Sequence, residues 1–310
     1  VHSAKPGGRG LILNLLYTMR LWQWIKNGVV AIPFIFNVNQ RWTPDDLALV
    51  SDLLMRTLWA VGLFCILSAA IYTINDIADR KRDGFHPLKR LRPIASGQLG
   101  IVPASVACVI LSSASIAGGF LLDATFGIIS ISYLLANVSY SFLLKRFLLV
   151  DVVMISLGYV IRLWAGSVVS EAITSPWIYG TIAAGALFIA LGKRYSELTN
   201  AEENASNQRG VLAHYTPQFL SQLVTITATF TLIAYALYTF TAPNLPPNKS
   251  MMLTIPFVGF GMFRYLYVLS TGPRGESPEL IFLKDLPLLI SILMWCITVI
   301  LVLLFGLKGT

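Results

Sequence analysis

Charge is what this 310-residue chain has least of. Asp, Glu, Lys and Arg make up 12% of it, about half the roughly 25% of a soluble domain. That shortage excludes a pair of water-soluble domains, which the length alone would allow. Cysteine is scarce too. Cys65, Cys108 and Cys296 lie inside apolar runs at no metal-ligand spacing, so they read as small buried hydrophobes and not as disulfide partners. His86 and His214 fit no metal-ligand spacing either and read as loop residues. There is no low-complexity tract and no recognisable internal repeat. The first residues lack the pattern of a signal peptide, because Gly7, Gly8, Arg9 and Gly10 precede an amphipathic stretch. The formal charge of +8 is not matched by a basic patch with groove-reading or stacking elements, which excludes nucleic acid as the partner.

What is abundant is apolar surface in long runs. Hydrophobic residues make up 55% of the chain and the mean hydropathy is +0.70. Nine apolar segments stand out, at 24–39, 53–75, 101–122, 124–144, 148–169, 176–193, 217–241, 251–270 and 284–307. Most are about the 20 residues that a helix needs to cross a bilayer. The expectation is one all-α, polytopic membrane domain over residues 1–310 with nine transmembrane helices. Only Leu122-Asp123-Ala124 separates the third and fourth segments, which predicts a tight helical hairpin. Pro243, Pro246 and Pro247 break the chain between the seventh and eighth. Residues 11–27 alternate apolar and polar groups around Arg20, Trp22, Trp24 and Lys26, and predict an interfacial amphipathic helix. There Lys26 and Arg20 are candidates to meet a lipid phosphate. Lys and Arg crowd into alternate loops, which places the N-terminus and the loops at 76–100 and 193–216 in the cytoplasm and the C-terminus outside.

Chemistry concentrates at the end of the second segment, in Tyr72-Thr73-Ile74-Asn75-Asp76-Ile77-Ala78-Asp79-Arg80-Lys81-Arg82-Asp83. On a helix, Asn75, Asp76, Asp79 and Asp83 share one stripe about 100° wide. Three aligned carboxylates repel one another and need a compensating partner. Hard oxygen ligands that leave room for water and phosphate suit Mg²⁺. The plainer reading is a solvated helix end paired with Arg80, Lys81 and Arg82. The proline-fixed loop that follows carries Lys89, Arg90 and Arg92. Acids for a metal beside bases for phosphate oxygens is the layout of a diphosphate site.

Asn75-Asp76-xx-Asp79-xxx-Asp83 resembles the NDxxDxxxD signature of the UbiA prenyltransferase superfamily. The string from His86 to Gly97 and the stretch from Arg20 to Asn27 resemble one of its branches, the decaprenyl-phosphate phosphoribosyltransferases of mycobacteria and relatives. The chain departs from that branch at Leu21-Trp22, where a proline and a basic residue are expected. The resemblance implies a nine-helix bundle with a cytoplasm-facing polar site. It also implies Mg²⁺ held by Asp76, Asp79 and Asp83 beside Asn75. The reaction implied is transfer of 5-phosphoribose from phosphoribosyl pyrophosphate to decaprenyl phosphate or a related polyprenyl phosphate. In that branch the product feeds arabinose donors for arabinogalactan and lipoarabinomannan.

The end of the sixth segment reads Gly192-Lys193-Arg194-Tyr195-Ser196-Glu197, where prenyl-diphosphate enzymes of the superfamily carry a second aspartate motif. Lys193 and Glu197 share a helical face four residues apart, with Arg194 beside them. The plain reading is an i,i+4 pair; the functional one is a phosphate clamp. Tyr72, Lys26, Lys89, Arg90, Arg92, Arg162, Lys193, Arg194 and Glu197 form the candidate substrate-binding set. Arg162 falls on the face of Asp151, about 16 Å deeper, and an arginine that deep is expensive unless it faces a polar cavity or a partner on another helix. Arg264 invites the same argument. Glu202 and Glu203 read as solvated loop acids. Two other functions fit part of the pattern. An aromatic prenyltransferase that uses a prenyl diphosphate is disfavoured by Lys193-Arg194. A transporter or channel does not require the acidic stripe and its basic loop. Homo-oligomers are compatible with the sequence.

Overall fold

The computed structural model describes residues 10–85, 89–199, 214–271 and 284–305. Ten α-helices account for most of them: α1 Leu11–Thr18, α2 Ile32–Phe36, α3 Leu47–Asp83, α4 Ile101–Leu122, α5 Ala124–Phe142, α6 Val150–Val169, α7 Pro176–Thr199, α8 Pro217–Thr241, α9 Ile255–Thr271 and α10 Leu286–Phe305. Among the described residues there is no strand, only an isolated bridge between Val38 and Trp42. The all-α expectation holds. Seven of these helical segments are long and apolar enough to cross a membrane: α3, α4, α5, α6, α8, α9 with its leading turn, and α10. The chain is a multi-pass membrane protein.

Two expected segments differ. Residues 24–39 are not one helix. They run as a 3₁₀ stretch, Leu21–Ala31, and then as the five residues of α2. Pro33 explains the break, since it lacks an N–H and is tolerated only in a first helical turn. The sixth expected segment, 176–193, lies in α7, which is 24 residues long, but Gly180, Thr181, Gly185, Gly192 and Lys193 dilute its apolar content. Residues 11–27 are not one helix either. Arg20 adopts φ +50° and ends α1 before the 3₁₀ stretch begins. Of the two expected loops, Asp76–Asp83 continue α3 and 193–199 continue α7, while 200–213, with Glu202 and Glu203, lie outside the described residues.

The chain forms two compact units, one of residues 1–28 and 58–145 and the other of 29–57 and 146–310. In the first, α4 and α5 form the expected hairpin with Asp123 as the whole linker. Asp123 is extended, closes α4 and caps α5 by accepting a hydrogen bond from the Phe126 N–H at 2.9 Å. A Cβ at Gly127 would lie 2.5 Å from the Phe120 ring, so glycine is what lets the two helices approach. Ile94, Leu99 and Ala104 form a small core with Leu15 and Ile77, which seats α1 and the loop after α3 on the end of that helix.

In the second unit, Thr216 caps α8 and Pro217 opens it. Tyr235, Tyr238, Leu163, Met251 and Val299 share one core. The expected breaker after α8 holds: the helix ends at Thr241, before Pro243. Gly166 on α6 faces the backbone of Val30, where a Cβ would lie 2.0 Å from the carbonyl oxygen. Because the obstacle is main chain, no side chain can turn to make room. Gly166→Ala is expected to destabilise the protein by about 3 kcal/mol, the upper end of overpacking costs. Thermal unfolding in detergent, compared with Gly185→Ala where the nearest atom is an ordinary 3.6 Å away, measures it.

Candidate active site

The acidic stripe forms as the helical spacing requires, but its charge is met by protein cations. Asp76, with 3% of its side chain exposed, accepts from Arg20 Nη2 and, at 3.1 Å, from Arg92 Nη1 on the same oxygen. The same Arg92 nitrogen reaches Asp83 Oδ2 at 2.6 Å. Asp79 Oδ1 accepts from Lys145 Nζ and from Arg82 Nη2, both at 2.7 Å. Lys145 Nζ also lies 3.3 Å from Asn75 Oδ1. Four cations therefore face three carboxylates. Of Arg80, Lys81 and Arg82, which lie within the stripe in sequence, only Arg82 pairs with it among the described residues; the other cations come from elsewhere in the chain.

Local backbone sets each cation. The left-handed turn at Arg20 is uncommon for a residue with a Cβ. It sends that guanidinium from the end of α1 to Asp76, 5.5 Å from the Tyr72 ring centroid. Arg92 follows a single 3₁₀ turn, Lys89–Leu91. Its loop is closed by Ser96 N–H to the Arg92 carbonyl at 2.8 Å and Leu99 N–H to the Pro93 carbonyl at 2.9 Å. Gly97 supplies φ +79° there, a conformation open to glycine. Lys145 sits in the 3₁₀ turn after α5. Burial pushes its ammonium below the ordinary lysine range, with the hydrogen bond to Asp79 opposing. Lys89 and Tyr72 are half-buried, Arg90 is exposed, and Lys26 is half-buried on the 3₁₀ stretch.

Among the described residues, no three His, Cys, Asp or Glu side chains are drawn together as a ready metal shell. The donor chemistry nevertheless fits a hard divalent cation. Asp76 Oδ2, Asp79 Oδ2 and Asp83 Oδ1 accept no hydrogen bond among the described residues, so each carboxylate keeps one oxygen open.

The second unit carries its own buried polar group. Arg194 is 4% exposed and donates through Nε to Asp151 Oδ2 at 3.0 Å and through Nη1 to Glu197 Oε2 at 2.9 Å. Tyr215 donates to Asp151 Oδ1 at 3.0 Å and accepts from the Leu149 N–H at 3.0 Å. Leu149 has φ +67°, so this hydroxyl also pins a left-handed residue at the start of α6. Burial, then the Asp151 charge, pushes the Tyr215 hydroxyl up to about 12, which keeps it a donor. Arg194 thus points into the fold, while its neighbour Lys193 is half-buried. Arg162 is buried, donates to the Gly158 carbonyl on its own helix at 3.0 Å and lies 5.5 Å from the Tyr159 ring centroid. Arg264 pairs with Asp285 at 2.9 Å.

Sequence reasoning missed Lys145 and Tyr215 as site residues. Both act across 64 or more residues of sequence, so no local spacing marks them. It placed Arg20 against lipid phosphate and not against Asp76.

Comparison with known proteins gives a consistent result. The sequence profile of the UbiA prenyltransferase family matches residues 47–286. A protein named decaprenyl-phosphate phosphoribosyltransferase from Mycolicibacterium smegmatis is 33% identical over 302 residues, covering 94% of this chain and 92% of that one. One of the same name from Mycobacterium tuberculosis is 32% identical over 289 residues, covering 93% of this chain and 94% of its own. Among solved structures, a UbiA homologue from Archaeoglobus fulgidus bound to GPP and Mg²⁺ superposes with a TM-score of 0.70 at 17% identity, covering 96% of this chain and all of that one.

Proposed function

The chain belongs to the UbiA prenyltransferase family, and on that premise we propose that it transfers 5-phosphoribose from phosphoribosyl pyrophosphate to decaprenyl or a related polyprenyl phosphate. The observation that carries this reading is full-length similarity to relatives that bear the phosphoribosyltransferase name. The basic Lys193-Arg194 pair at the end of α7, where prenyl-diphosphate enzymes of the family carry aspartates, supports it.

In the reaction an oxygen of the lipid phosphate bonds to the anomeric carbon of the ribose as the bond from that carbon to diphosphate breaks. In-line attack inverts that carbon. The attacking phosphate is already an anion at neutral pH, so no general base is required, which agrees with the absence of a candidate His or Cys nucleophile. Asp76, Asp79 and Asp83 would hold Mg²⁺, which would supply charge neutralisation for the departing diphosphate. Lys145, which also reaches Asn75, orients Asp79, and Arg20, beside the Tyr72 ring, orients Asp76. Lys89, Arg90 and Arg92 are assigned to donor phosphate oxygens, and Lys193 to a phosphate clamp beside Glu197, whose carboxylate pairs with Arg194. Lys26 is assigned to the lipid phosphate. The distribution of Lys and Arg supports a cytoplasmic side for the N-terminal stretch and the acidic end of α3, which meet in the Arg20–Asp76 pair, so that residues 21–36 would carry the chain across ahead of α3, and an outer side for the C-terminus. The product would be a lipid-linked pentose phosphate, the class of precursor for the arabinose donors of arabinogalactan and lipoarabinomannan.

The test is incubation of the purified protein in detergent with Mg²⁺, radiolabelled phosphoribosyl pyrophosphate and decaprenyl phosphate. Label is expected in the organic phase, with diphosphate released, and only when Mg²⁺ is present. A folded protein that yields no labelled lipid, but transfers the prenyl group of a prenyl diphosphate, would replace this reading with an aromatic prenyltransferase.

A further inference from the structure

We propose that Arg92 is an exchangeable counter-ion: it bridges Asp76 and Asp83 until a divalent cation takes those carboxylates, and it then turns to the phosphate oxygens of the sugar donor. This deepens the metal-dependent donor site proposed above and rests on that reading.

A single nitrogen, Arg92 Nη1, lies 3.1 Å from Asp76 Oδ1 and 2.6 Å from Asp83 Oδ2. That is the position of a bridging cation, filled by the protein itself. The other cations are less suited to leave. Arg20 is aimed by its left-handed backbone and sits by the Tyr72 ring. Lys145 is held by both Asp79 and Asn75. Arg82 touches Asp79 alone, so it bridges no pair of carboxylates. The main chain around Arg92 is anchored by buried Ile94 and Leu99, while its side chain is 23% exposed. The guanidinium can therefore swing without the loop moving.

Charge makes the exchange cooperative. Four cations already face three carboxylates, so a divalent ion added to that group leaves a strong excess of positive charge at short range. The excess is relieved when one guanidinium departs and anionic phosphate arrives. Metal and donor should then each strengthen the binding of the other, with reciprocal coupling.

The test titrates Mn²⁺ into the full-length protein in detergent and reads free Mn²⁺ by its electron paramagnetic resonance, with and without phosphoribosyl pyrophosphate. Without donor, Arg92→Gln is expected to bind Mn²⁺ about tenfold more tightly than the parent, the size of one charge-assisted hydrogen bond withdrawn from competition. The donor-induced gain in Mn²⁺ affinity, expected in the parent, should be lost. Equal or weaker Mn²⁺ binding by Arg92→Gln, or a donor effect of parental size, overturns the proposal. If Arg92→Gln shows no cooperative unfolding transition, Arg92→Lys decides: its ammonium ends one atom short of the Nη1 position and is more strongly hydrated, so it holds the two carboxylates less tightly; tighter Mn²⁺ binding than the parent supports the exchange and equal or weaker binding refutes it. The donor-free arm uses no substrate. A protein that fails to make labelled lipid but shows tighter Mn²⁺ binding in Arg92→Gln therefore overturns the phosphoribosyl reading and leaves the metal exchange standing.

Discussion

Replacing Asp79 with asparagine is expected to slow phosphoribosyl transfer by about a thousandfold, about 4 kcal/mol in the transition state, in a protein that still folds. On the proposed reading the carboxylate has two tasks on separate oxygens. Oδ1 holds Lys145 and Arg82, and Oδ2 is open for a metal. Asparagine keeps an oxygen for Lys145 and removes the charge. Alanine would remove both and leave a largely buried ammonium with Asn75, so a lost fold would obscure the loss of chemistry. The stability of Asp79→Asn also carries a pH signature. Burial already depresses the Lys145 ammonium, and Asp79 opposes that depression; without the charge the folded value falls further. A depressed lysine penalises the fold while it is protonated in the folded state, below its folded value. The penalty fades as pH climbs toward the unfolded value of about 10.4. The unfolding midpoint of Asp79→Asn should therefore approach that of the parent between pH 7 and 10. The lipid-labelling rate and a melt at each pH measure the two effects, and a gap in midpoint that widens with pH would contradict the assignment of Lys145.

Arg194→Ala is expected to cost about 3–5 kcal/mol of stability, because it leaves Asp151 buried with its charge uncompensated. Asp151 is 3% exposed and has Tyr215 as its remaining partner. One hydroxyl does not replace a guanidinium. Lys193→Ala, one residue earlier and half-buried, should leave the melt within about 0.5 kcal/mol and weaken donor or acceptor binding instead. The double change Asp151→Asn, Arg194→Ala should recover much of the loss, since the unpaired charge is gone. Thermal unfolding of the four proteins, with substrate binding to those that fold, separates the roles. A normally stable Arg194→Ala that loses substrate affinity would return Arg194 to the phosphate clamp.

Much of this was legible in the sequence. Apolar runs of membrane length and the Lys and Arg loops outline the helices, and the three-residue linker at 122–124 is a hairpin. The stripe Asn75, Asp76, Asp79 and Asp83 follows from helical spacing. What it misses is non-local. Nothing near Asp76 signals that Arg20 reverses its backbone to reach it, and nothing near Asp79 points to Lys145. Periodicity places a side chain on a face; the charge that meets it there comes from another element. The broken 24–39 segment is a different failure. Its hydropathy is that of a span, but Pro33 decides the hydrogen bonding, and hydropathy does not register a missing N–H.

The one-residue link at Asp123 bears on how the protein enters the membrane. α4 and α5 span 22 and 19 residues with nothing between them long enough to wait in water. They therefore have to insert together, as a preformed pair. The polar cargo carried at the tip of that pair is a single carboxylate, already hydrogen-bonded by the Phe126 amide. The bases Lys145 and Arg146 follow α5, at the end of that helix away from Asp123. A lengthened link would hold more water and turn α5 about 100° per added residue, moving Gly127 off the Phe120 ring. The shortest connection between the described α-helices thus joins the assembly of the helix pair to its entry into the bilayer.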